Sequence, residues 1–129
     1  MTAVTIGSVR LNVAAVTDRG LVREVNEDAF LADGPAFVVA DGMGGYESGD
    51  RASAAVVAAF RDRFAGLSVG EFARVNDALI DADDRVAEVA ADTTRGAGST
   101  ATGIVLVTHE GHPFWLVFNV GDSRVYRQA

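Results

Sequence analysis

The sequence predicts an α+β fold whose strands and helices occupy separate blocks. Three observations carry that expectation. β-Branched and aromatic runs fill the two ends of the chain, at 9–18, 28–41, 99–108 and 113–120. Between 50 and 89, apolar residues recur at helical rather than alternating spacing. The order of strands, two helices and strands lacks the alternation of βαβ units, which argues against a parallel sheet.

The elements follow in order. VRLNVAAVTD (9–18) is β-branched and partly alternating, and reads as a strand. DAFLADG and PAFVVAD are two short strands joined at Asp33, Gly34 and Pro35, residues suited to a turn. DRASAAVVAAFRDRF (50–64) is alanine-rich, and Val56, Phe60 and Phe64 form a helical stripe. SVGE (68–71) has the form of a capping box. It predicts a second helix with Phe72, Val75, Leu79, Ala82, Val86 and Val89 on one face. STATGIVLVT (99–108) and PFWLVFNV (113–120) are strong strands flanking HEGH, a hairpin. His109 and His112 are expected to be exposed turn residues. No repeat, low-complexity tract or linker interrupts the chain.

Composition narrows the function classes. At 129 residues, 49% hydrophobic and 22% charged, the chain suits one soluble domain. No apolar run is long enough to span a bilayer, and MTAVTIGSVR lacks the apolar core of a signal peptide. The absence of cysteine excludes disulfides, zinc–thiolate sites and cysteine nucleophiles. It also suits the cytoplasm, the expected location. A net charge of −7 argues against nucleic acid or an anionic membrane as partner.

Chemistry concentrates at the strand ends. REVNEDA (23–29) sets Arg23, Glu27 and Asp28 just before a strand. Asp41 ends the next strand within VADGMGG, and Asp122 follows FNV within VGDSR. The other acids, including DADD (81–84) and Asp62, read as solvated helix surface. Antiparallel neighbours can bring strand ends together, and oxygen donors without His or Cys suit Mg²⁺ or Mn²⁺. Glycines at 42, 44 and 45 permit positive φ, or a close approach to a phosphate, a metal ion or the next strand. From spacing alone, a shared metal site and a set of unrelated tight turns are equally open.

RGLVREVNEDA, FVVADGMGG, GAGSTATGIVL and VGDSRVYR, in that order, resemble the motifs of the metal-dependent protein phosphatases. This is the PPM family, or type-2C serine/threonine phosphatases, and the likeness is greatest to its bacterial branch. It runs from Val13 to Arg127. The resemblance implies an antiparallel β-sandwich flanked by antiparallel helices, with two or three Mn²⁺ or Mg²⁺ ions at one end. By position it makes Asp41 the bridging ligand, with the Gly42 carbonyl beside it. Glu27 and Asp28 become carboxylates of the second ion's shell, and Asp122 a ligand of a third. Arg23 would grip the substrate phosphate. Ser99 and Thr100 would be structural, and Met43 stands where some relatives carry a histidine. The implied reaction is hydrolysis of phosphoserine and phosphothreonine in proteins, opposite serine/threonine kinases, by a metal-activated water.

Relatives continue past GDSRVYR and supply two further aspartates. The sequence is therefore expected to be the N-terminal portion of such a domain, spanning 1–129, that ends just inside a strand. A catalytically inactive PPM-like binding or regulatory fragment is the alternative. Unpaired strands are expected to promote self-association.

Overall fold

The computed structural model describes residues 2–44 and 48–129. β1 (Thr2–Ile6) and β2 (Val9–Val13) form a hairpin of their own. β3 (Asp28–Leu31) and β4 (Ala36–Met43) open the larger sheet. Two helices follow, α1 (Ser48–Phe64) and α2 (Phe72–Ala91). The chain then re-enters the sheet through β5 (Gly98–Ser99), β6 (Ala101–His109) and β7 (His112–Val120). Strand order is β3-β4-β6-β7, with β5 beside β4, and these strands pair antiparallel throughout. The expected α+β layout of antiparallel sheets and two helices is what forms.

Alternation along β4 separates two faces. Ala36, Val38, Ala40 and Gly42 are buried, while Val39, Asp41 and Met43 are exposed. The buried face carries α1 and α2. Ala52, Ala59 and Ala78 are fully buried and keep the helices close to each other and to the sheet. Phe60 fills the centre, its ring stacked 6.2 Å from Phe64 and 5.0 Å from Phe118 between ring centroids. The helices run antiparallel, since Arg51 at the start of α1 pairs with Asp92 just past the end of α2 at 3.2 Å. Farther along, Arg85 bridges Asp81 at 3.0 Å and Asp62 at 2.9 Å. On the opposite face, Phe37 meets Trp115 edge-on at 6.1 Å, and Leu11 and Val13 of β2 flank the same groove.

Five local expectations are corrected. The strand read at 9–18 stops at Val13, which pairs Thr2 of β1, and 14–18 pair with no strand among the described residues. The capping box does not form: Glu71 is the N-cap of α2 and its side chain caps nothing. Gly70 is instead drawn to the sheet, donating its N–H to the Leu106 carbonyl at 2.8 Å, so Ser68 lies outside the helix. Phe72 is 74% exposed, because the stripe meets α1 only from Val75 onward. The run at 99–108 is interrupted at Thr100, and no strand forms after Val120 among the described residues. Gly45, part of the glycine-rich turn, lies outside the described residues. No helix is long and apolar enough to cross a membrane among those described.

Candidate metal centre

The register of β3 on β4 places Asp28 directly opposite Asp41. Both point to the face away from the helices, at the end of the sheet. Two carboxylates so placed repel one another when both are ionised. The Asp28 carboxyl is accordingly held above the usual carboxylate range. The largest cause is the water it loses against its neighbours; a hydrogen bond donated by its protonated form to Asp41, and the Asp41 charge, add to it. Arg23 pulls in the opposite direction and Glu27 pushes slightly upward. Asp41, Arg23 and Glu27 therefore all lie within electrostatic reach of Asp28.

Arg23 reaches this end of the sheet on the irregular segment 14–27, which hydrogen bonds shape. Gly20 N–H donates to Asp18 Oδ1 at 2.9 Å, and Asn26 Nδ2 donates to Thr17 Oγ1 at 2.6 Å. Asn26 Oδ1 also accepts from the Asp28 N–H at 3.0 Å, fixing the entry into β3. Sequence reasoning passed over Asn26; its signal is an Asx side chain just ahead of a strand, where it can bond the main chain two residues on.

Glu27 turns differently from Asp28. Its carboxylate lies against Gly49 in the first turn of α1, where a Cβ on that glycine would overlap it. Helix N-termini favour such a charge. The Glu27 carbonyl accepts from the Gly42 N–H at 3.0 Å. Gly42 itself has no room for a side chain: a Cβ there would overlap the Gly49 carbonyl oxygen and stand 2.8 Å from the Glu27 carbonyl oxygen. The close approach anticipated from DGMGG is thus made by helix α1 and the main chain before β3.

Thr100 stands across from Asp41, because β5 and β6 pair β4 in one register, Gly42↔Ser99 and Val39↔Thr102. Its N–H donates to the Asp41 carbonyl at 2.9 Å, and its Oγ1 accepts from the Asp41 N–H at 3.0 Å. Ser123, next to Asp122, meets the same hydroxyl at 2.9 Å. Asp122 is exposed on that loop, and His109 and His112 are exposed at the far hairpin.

Among the described residues, no group of three or more His, Cys, Asp or Glu side chains converges as a metal-binding set. The structure brings two carboxylates together, Asp28 and Asp41. An all-oxygen pair of like charge at an accessible sheet end fits a hard divalent cation, which would relieve the repulsion.

No protein-family model matches the chain. Over 119 residues, 90% of the chain, it is 37% identical to the serine/threonine protein phosphatase PstP of Mycobacterium tuberculosis. It spans 22% of the length of that curated relative. The PPM Ser-Thr phosphatase MsPP of Mycobacterium smegmatis, solved with cacodylate, superposes with a TM-score of 0.73 at 37% identity. That match covers 84% of this chain and 44% of MsPP. The M. tuberculosis PstP/Ppp structure gives a TM-score of 0.73 at 32% identity, covering 86% of this chain and 47% of that one. The PstP catalytic domain with two manganese ions gives 0.66 at 29% identity, covering 80% and 53%. Sequence and fold agree on one likeness: the chain matches the N-terminal portion of the PPM serine/threonine phosphatase domain.

Proposed function

We propose that this chain carries part of the active site of a metal-dependent phosphatase that hydrolyses phosphoserine and phosphothreonine in proteins. The observation that carries it is the Asp28↔Asp41 register at the accessible sheet end, with Arg23 in electrostatic reach. Asp41 and Asp28 would hold Mn²⁺ or Mg²⁺, with the Gly42 carbonyl, Glu27 and Asp122 as further oxygen donors. The two ions, and a third in the complete domain, would supply an activated water and positive charge for the phosphoryl oxygens.

The chain's own residues supply the rest. Arg23 is always charged and presents a planar fork of donors, which suits it to two phosphate oxygens at once. The exposed segment around it leaves room for a phosphorylated side chain on a protein surface. Asp28 and Asp41 concentrate negative charge that draws cations and leaves bare phosphate unfavoured without them. Met43, exposed near the site, has no proton to give to the leaving oxygen.

The test is Mn²⁺-dependent hydrolysis of p-nitrophenyl phosphate and of a phosphothreonine peptide by this chain and by its Asp41→Asn form. Turnover lost in the variant supports the phosphatase. Mn²⁺ binding without turnover favours the inactive binding or regulatory fragment. Absence of both Mn²⁺ binding and turnover overturns the metal centre.

A further inference from the structure

We propose that Thr100 is a positioning residue for Asp41: it fixes the main chain of β4 at that carboxylate and, through Ser123, ties it to the loop that carries Asp122. What the carboxylates do rests on the metal-centre reading above; how they are held rests on hydrogen bonds alone.

Opposed residues at a hydrogen-bonded position of an antiparallel ladder exchange two main-chain bonds, and Asp41 and Thr100 hold such a position. Asp41 and Thr100 keep one, from the Thr100 N–H to the Asp41 carbonyl at 2.9 Å. The other is replaced. The Asp41 N–H donates to Thr100 Oγ1 at 3.0 Å, while the Thr100 carbonyl takes the Ser99 hydroxyl at 2.8 Å. A side chain stands in for a main-chain acceptor opposite the residue that carries the carboxylate, and the partner strand is interrupted there, at Thr100.

The same hydroxyl has a second lone pair and a proton, and spends one of them on Ser123 Oγ at 2.9 Å. Gly121 closes the arrangement. Its φ is +108°, and a Cβ on it would stand 2.7 Å from Thr100 Cγ2. The Thr100 side chain is therefore gripped by the loop it positions, and the residue is 2% exposed. Asp28, Asp41, Thr100 and Gly121 form one row across four strands or their ends, extended from the registers Asp28↔Asp41 and Ala101↔Val120.

A side-chain hydroxyl is chemically required here. Valine fills the same space without a hydroxyl, so the Asp41 N–H would lose its acceptor and Ser123 its partner. Serine keeps both bonds and drops only the methyl against Gly121.

Two readouts on the 129-residue chain test this. Amide hydrogen exchange at Asp41 reports the clamp without metal, and Mn²⁺ titration followed by electron paramagnetic resonance reports its consequence. Thr100→Val is expected to speed exchange at Asp41 and to weaken Mn²⁺ binding by about 10–100-fold, the range seen when a ligand's supporting partner is removed. Thr100→Ser should restore both, and Ser123→Ala should shift the amide resonances of 121–124 while leaving Asp41 protected. Wild-type exchange at Asp41 in Thr100→Val overturns the proposal, as does Mn²⁺ binding unchanged by loss of the hydroxyl. If the wild-type chain binds no Mn²⁺, the metal-centre reading fails by itself, and the exchange data still decide the clamp. If Thr100→Val does not fold, Thr100→Ser and Ser123→Ala decide it, and loss of Asp41 protection in Thr100→Ser overturns it.

Discussion

Replacing Gly42 by alanine tests the most crowded point of the site. The added methyl would overlap the Gly49 carbonyl oxygen, lie 2.6 Å from its carbonyl carbon and 2.8 Å from the Glu27 carbonyl oxygen. All three atoms are main chain, so no side-chain rotation relieves the clash. Overpacking in cores that can yield costs about 1–3 kcal/mol, and a site walled by backbone belongs at the upper end. Pushing β4 away also loosens the Gly42 N–H bond to Glu27, a further loss of about 1 kcal/mol. The smaller entropy of the unfolded alanine chain offsets about 0.4–1 kcal/mol. The net expectation is about 3 kcal/mol, which for a chain of this length lowers Tm by about 10 °C or more. Gly49→Ala is the control. The three atoms nearest its methyl all belong to the Glu27 carboxylate, a side-chain end rather than main chain, and alanine gains about 1 kcal/mol of helix propensity over glycine. Urea and thermal melts followed by circular dichroism compare the two. A Gly42→Ala midpoint within about 1 kcal/mol of wild type, or a Gly49→Ala loss of equal size, refutes the backbone-contact argument.

Stability should depend on pH with opposite signs at two aspartates. Asp28 is raised above its ordinary 3.8, so its contribution favours the fold at low pH and is lost as pH rises through the raised value. Asp28→Asn is expected to raise Tm at pH 7, with the gain vanishing below pH 3.8; a fall at pH 7 contradicts it. Asp81 is lowered, chiefly by its hydrogen bond from Arg85, so it stabilises above 3.8 and the benefit fades as pH falls through the depressed value. Asp81→Asn should lower Tm at pH 7 and match wild type in strong acid. Phe60→Ala removes the ring stacked between Phe64 and Phe118 and should cost about 3–5 kcal/mol by urea melt; a loss under about 1 kcal/mol would deny Phe60 its central place. β7 ends the strand order and carries no Asp, Glu, Lys or Arg over its 9 residues, with Val117 59% exposed. Edge pairing between copies is expected to make the chain associate with rising concentration, and Val117→Lys should suppress it. A monodisperse 13.5 kDa monomer by light scattering at all concentrations would exclude such pairing.

The sequence by itself determined the local structure wherever a single strong signal operated. The stripe of Val56, Phe60 and Phe64 set α1, the turn residues Asp33, Gly34 and Pro35 set β3 and β4, and HEGH set the last hairpin. Four ordered motifs also sufficed to name the family. Periodicity and turn chemistry act over a few residues, and a linear reading captures them. Partnership across the fold was decided only by tertiary structure. Ser68 satisfied the capping pattern, yet Gly70 bonded to β6 and moved the start of α2 to Phe72. VRLNVAAVTD had the composition of a longer strand, but β1 offered it only five partners. The acidic motifs read alike as ligands, yet register placed Asp28 against Asp41 while the first turn of α1 received the Glu27 carboxylate. Gly42 is glycine because a helix arrives from residues later in the chain, and Thr100 acquires its role from a strand residue 59 positions away. Contacts between distant segments depend on where the whole backbone goes, and no window of the sequence holds that information.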